Sequence, residues 1–154
     1  MEERIKKIDT VKKCEIFAQN AKAKGREDLA KQAIERSLQI RAEEHGANMP
    51  AEIEALQAVY AYEEVLSAKN GKRTRASRTW PMIERHGIIG AVERTVNRPR
   101  ESKAYHALVE MGLEGYAFEA VIIRHQTVFS QETVEISKQR LSDWTMAAVA
   151  GLED

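Results

Sequence analysis

The sequence predicts an all-α fold, a compact domain of about seven or eight helices. Three observations point there. Apolar residues recur at three- and four-residue steps through nearly the whole chain. No stretch of six residues alternates apolar and polar as a half-buried strand does. With 3 Pro and 8 Gly in 154 residues, there is little material for the turns of a sandwich or barrel.

Taken in order, Ile5, Ile8, Val11, Cys14, Phe17, Ala18 and Ala21 form one apolar stripe, and Gly25 stops it. Leu29, Ala30, Ala33, Ile34, Ser37, Leu38 and Arg41 carry a second helix, which together with the first predicts an N-terminal hairpin, to Gly46. Asn48 and Pro50 open a third helix, the amide as cap and the proline in the first turn, where its missing N–H costs nothing. The stripe of that helix is Ile53, Leu56, Tyr60 and Val65/Leu66, and Asn70-Gly71 closes it. Ser77 or Thr79 caps a short fourth helix with Pro81 in its first turn and Gly87 at its end. Ile88, Ile89, Val92 and Val96 mark a fifth helix, ended by Pro99. Ser102 caps a sixth with Tyr105, Leu108 and Val109 inward, and Gly112-Leu113 matches a left-handed C-cap with its apolar contact. The run from Gly115 to His125 is apolar on most sides and is expected to be central. The eighth start is the sharpest: Ser130 is the cap, and Phe129 and Val134 are placed to staple it. Leu141, Trp144 and Ala148 continue its stripe. The expected core is Phe17, Leu38, Leu56, Tyr60, Ile83, Val92, Leu108, Phe118, Val121, Ile122, Leu141 and Trp144. One domain over residues 1–154 is expected, with a possible division into helical hairpins (1–70) and the basic segment plus C-terminal helices (71–154).

Residues 14–41 resemble a degenerate tetratricopeptide unit. Phe17, Ala18, Ala21, Gly25, Ala30, Ile34 and Leu38 stand where that family has its large and small packing residues, while Ser37 replaces the second small alanine. No second copy follows, and a single unit cannot bury its own face. The resemblance implies a tightly packed helix hairpin, and it supplies one alternative reading, a protein-interaction or adaptor domain.

Charge is the most uneven property. The chain carries 24 Lys/Arg and 24 Asp/Glu. Residues 69–103 nevertheless hold 10 basic against 3 acidic side chains, a net +7 between flanks of −2 and −5. The single cysteine, Cys14, excludes an internal disulfide and suits a reducing, cytoplasmic setting. Its apolar neighbours predict a small buried hydrophobe. The charged N-terminus has no apolar stretch of the kind a secretory signal needs, and no run reaches the length of a membrane span.

Catalytic and metal signatures are not found. There is no phosphate-binding glycine loop, nucleophile elbow or zinc spacing, so no cofactor and no metal is expected. Glu101-Ser-Lys103 has a nuclease-like spacing, but no aspartate between 29 and 100 completes an acidic centre. His106 and Glu110 share a helix face as a polar pair. Glu119, on a nearly buried helix, requires a cationic partner, for which a middle arginine is expected. Gly87 lies between two short helices, as in a helix-turn-helix, but that register puts Glu93 at a buried position and opens the reading helix with Ile88, Ile89 and Gly90.

The remaining signal is basic. Lys69, Lys72, Arg73, Arg75 and Arg78, extended by Arg94, Arg98 and Arg100, are expected to form an exposed ridge that binds nucleic-acid phosphates without sequence preference. The expected partner is therefore DNA or RNA, with no membrane. Two alternatives stand beside this reading. In one, the segment faces an acidic protein or the acidic helix bearing Glu63 and Glu64. In the other, the chain is an accessory domain of a nucleic-acid-processing enzyme.

Overall fold

A computed structural model describes residues 1–153, with side chains through Met146. The described residues form eight α-helices and one 3-10 turn, with no strand among them. The helices are α1 (Glu3–Lys6), α2 (Val11–Ala23), α3 (Glu27–His45), α4 (Pro50–Asn70), α5 (Thr79–Asn97), α6 (Lys103–Glu110), α7 (Phe118–Arg124) and α8 (Gln131–Glu153), with the turn at Glu114–Tyr116. They fall into two compact units, Met1–Asn48 and Met49–Asp154. The division therefore comes before the third long helix rather than at 70/71, because α4 packs against α5, α6 and α7.

The first unit is the expected hairpin, α2 against α3, with α1 laid on α3. Its core joins Ile5, Ala18, Ala21, Leu29, Ala30 and Ala33, with Phe17 and Ile34 partly buried against it. Cys14 is buried as expected, and burial pushes its thiol up. The stripe from Ile5 to Ala21 is not one helix. The Thr10 side chain accepts the Lys13 N–H at 3.2 Å and starts a new helix, so the chain breaks over residues 7–10. Glu2 N–H donates to Gln32 Oε1 at 2.7 Å, and Arg36 donates to the Ile8 carbonyl at 3.0 Å, which fixes α1 on α3.

In the second unit α4 is buried on several sides. Ala51, Ala55, Leu56, Ala58, Val59 and Ala61 are buried, whereas Ile53, Tyr60, Val65 and Leu66 are only half-buried. Alanines let three neighbouring helices approach, and a helix so enclosed has no single apolar stripe. Met49, not Asn48, stands at its N-cap, with no side-chain cap. Gly87, at φ 75° and ψ 171°, interrupts α5, so the two expected short helices are present around it. Ser102 stands at the N-cap of α6 as expected but makes no side-chain cap hydrogen bond, while Arg78 holds the N-cap of α5, with Ser77 before it and Thr79 already inside the helix. The end of α6 is a Schellman motif: Leu113 N–H bonds Leu108 O at 2.8 Å and Gly112 N–H bonds Val109 O at 3.0 Å. Gly112 takes φ 70°, and Leu113 is fully buried.

Ser130 caps α8, accepting the Thr133 N–H at 3.2 Å, and Phe129 and Val134 are both buried. Of the expected core, Phe17, Tyr60 and Leu141 are half-buried and the other nine are buried. Val109 faces out, at 42% exposure. The side chain of Ala148 lies outside the described residues.

Candidate functional site

The basic loop after α4 is held from beneath by one carboxylate. Glu63, buried near the end of α4, accepts the Ala76 N–H at 2.9 Å and the Trp80 indole N–H at 2.7 Å. Ser67 adds a second tether by accepting the Thr74 N–H at 2.8 Å, and Trp80 stacks beside Tyr60 with ring centroids 5.2 Å apart. Both tethers come from α4, four residues apart, so one helix face fixes the loop backbone.

The side chains on this scaffold have different fates. Arg73 reaches Glu64 at 3.0 Å. Arg75 lies over the Trp80 ring, 5.3 Å from its centroid, with Nε 3.9 Å from Glu63 and 71% of its side chain exposed. Lys69, Lys72 and Arg78 are exposed. At the other end of α5, Arg98 is exposed, while Arg100 turns inward. Arg100 donates to both oxygens of Glu119, at 3.1 and 2.9 Å, and sits 5.4 Å from the Phe118 centroid. Glu119, fully buried, also has Arg140 of α8 at 3.4 Å. The cationic partner expected for Glu119 is therefore Arg100, and Arg100 does not extend an exposed ridge, because a buried carboxylate holds it.

The arrangement is a cleft rather than a ridge. Arg75 and Arg78, from the loop before α5, and Arg98 and Arg100, from the segment after it, line one cavity of about 460 Å³. Thr74, Ser77 and Thr79 line it with hydroxyl-bearing residues, and Leu66, Met82 and Phe118 with apolar ones. Among the described residues, Arg78 and Arg98 form no ion pair. Arg94 belongs to a separate concavity with His86, Gly90, Glu93 and Asn97. Desolvation, and then the positive charges of Arg94, Arg85 and Arg98, hold the His86 imidazole below its ordinary value. Lys69 lines a third cleft, between α4 and α6.

Arg140 had no signal in its local sequence. It donates to the Val96 carbonyl, and to Arg98 O at 2.6 Å, closing the C-terminal end of α5 and fixing the backbone that carries Arg98. Glu93, expected at a buried position in a helix-turn-helix register, instead accepts the Ser130 N–H at 2.7 Å. Among the described residues no three His, Cys, Asp or Glu side chains gather as a metal needs, and no helix is long and apolar enough to cross a membrane. No family model, curated protein or solved structure matches this chain.

Proposed function

We propose that the protein is a non-enzymatic helical module that binds nucleic-acid phosphates through the arginine cleft, without sequence preference, in the cytoplasm. The observation that carries this reading is the pair Arg78 and Arg98, which line one cavity, form no ion pair among the described residues and are flanked by hydroxyls. A phosphate between them exchanges condensed counterions for two guanidinium contacts, and Arg presents the planar fork that matches phosphate oxygens. Arg75, stacked and only loosely paired, adds a third contact. The backbone beneath is already fixed by Glu63 and Ser67, so little ordering opposes binding.

Anisotropy titrations with labelled single-stranded and duplex DNA and RNA at several salt concentrations test it. Binding is expected to weaken with salt, by a log–log slope of about −0.7 per phosphate on single strands and about −0.9 on duplex. Changing Arg75, Arg78 and Arg98 together to Ala is expected to flatten the slope with helicity unchanged. Absence of binding to all of them at low salt rules the reading out.

A further inference from the structure

The arginine cleft does not end at its own rim. Tyr62 and Leu66 line it, and the same two residues line the neighbouring cleft of about 490 Å³ between α4 and α6. Tyr62, Leu66 and Lys69 follow one another at four- and three-residue steps, so they share one face of α4 and span about 10 Å of its length. The second cleft carries Lys69 and Lys103 with Met111, and Glu110 is its one acid. Lys69 is exposed and Lys103 is 90% exposed, with Glu101 3.6 Å away. Two cationic pockets thus adjoin across a half-buried aromatic and an apolar side chain.

Resting on the phosphate-binding reading above, we propose that the two clefts form one track for a single-stranded nucleic acid. The backbone runs from Arg78 and Arg98 to Lys69 and Lys103, and a base covers Tyr62. A cationic groove that follows the backbone, with an aromatic platform for bases, is the physical form of sequence-tolerant single-strand recognition. A duplex keeps its bases stacked inside and offers no face to Tyr62 or Leu66. The second half of α5, the reading helix of a helix-turn-helix register, opens with Ile88, Ile89 and Gly90, all half-buried. An acidic peptide would pair its carboxylates with the same arginines and lysines, but its side chains offer no base to cover Tyr62.

The test compares oligothymidylates of about 4 and about 12 nucleotides, the range one small domain covers, with a duplex of the longer length, on the full chain. The double variant Lys69→Ala/Lys103→Ala is expected to weaken the longer strand on the order of tenfold and to reduce its salt slope by about 1.4, two phosphates at about 0.7 each. The shorter strand should bind as before. Tyr62→Leu, which keeps the apolar volume, is expected to weaken the longer strand on the order of tenfold at unchanged helicity. If the lysine variant binds the longer strand as wild type does while Arg78→Ala/Arg98→Ala loses it, the track is wrong and the arginine cleft stands alone. Equal affinity for the duplex, or displacement of the strand by polyglutamate at equal concentration, overturns the single-strand assignment. Failure of wild type to bind any oligonucleotide removes the cleft reading itself.

Discussion

Glu63 is the residue on which the basic loop depends. It is nearly buried, and its carboxylate is the acceptor for two donors 13 and 17 residues further along the chain. Truncating such an acceptor leaves buried N–H groups unsatisfied, which costs about 1–3 kcal/mol per group. Glu63→Ala is therefore expected to destabilise the protein by about 3 kcal/mol in urea unfolding and to shift Trp80 fluorescence. Glu63→Gln retains an acceptor oxygen and should recover a large part of the loss. An alanine variant as stable as wild type would show that the loop is held by other contacts. Arg73 and Arg75 show the same dependence from the other side, since each stands beside a carboxylate of α4 while Arg78, three positions on, has none.

Between elements, ion pairs join helices that are far apart in sequence. Glu54 of α4 receives Arg124 at 2.6 Å and also His125, both at the end of α7. Partial burial pushes the Glu54 carboxyl up, but the hydrogen bonds from His125 and Arg124 outweigh it and hold the group below its ordinary value. A carboxylate depressed in the folded state releases its proton more readily there than in the unfolded chain. Its contribution is thus complete above the unfolded value, about 4.3, and is lost as pH falls through the folded one. Glu54→Gln is expected to lower the melting temperature at pH 7, and the difference from wild type should shrink below about pH 4. A difference that stays constant from pH 7 to pH 3 would mean that the pairing contributes nothing through charge. The Glu119–Arg100–Arg140 cluster joins α7, the segment after α5 and α8 in the same way, and Thr133 adds a hydrogen bond to Asn97 at 2.9 Å.

For the whole molecule, the two units meet in sequence at a short link. Gly46 ends α3 in the left-handed conformation, and Asn48 and Met49 are exposed before Pro50 opens α4. Limited digestion with a protease of broad specificity is expected to cut first within residues 46–49, giving fragments close to 1–48 and 49–154. First cleavage in the loop at 72–78 would mean that Glu63 and Ser67 do not hold it in solution. The neutral total charge conceals the net +7 of residues 69–103. That excess lies wholly in the second unit, with both clefts.

The sequence by itself determined the helical class and most of the helix ends. Gly25, Gly112, Ser130 and the Phe129/Val134 pair each act within four or five residues, so their chemistry can be read without knowing the fold. It also located the basic segment and anticipated a middle-arginine partner for Glu119. Where local patterning misled, as with the stripe that Thr10 interrupts and the face of α4, either a competing cap or contact from several sides had replaced the simple period. Only the tertiary structure decided which cations are spent and which are left. Arg100 meets Glu119 across 19 residues, Arg140 closes α5 across 42 to 44, and Tyr62 and Leu66 come to line two clefts at once. Charge in a sequence is counted by residue, but its availability depends on which distant carboxylate the packing of apolar faces brings within about 4 Å, and composition does not encode that distance.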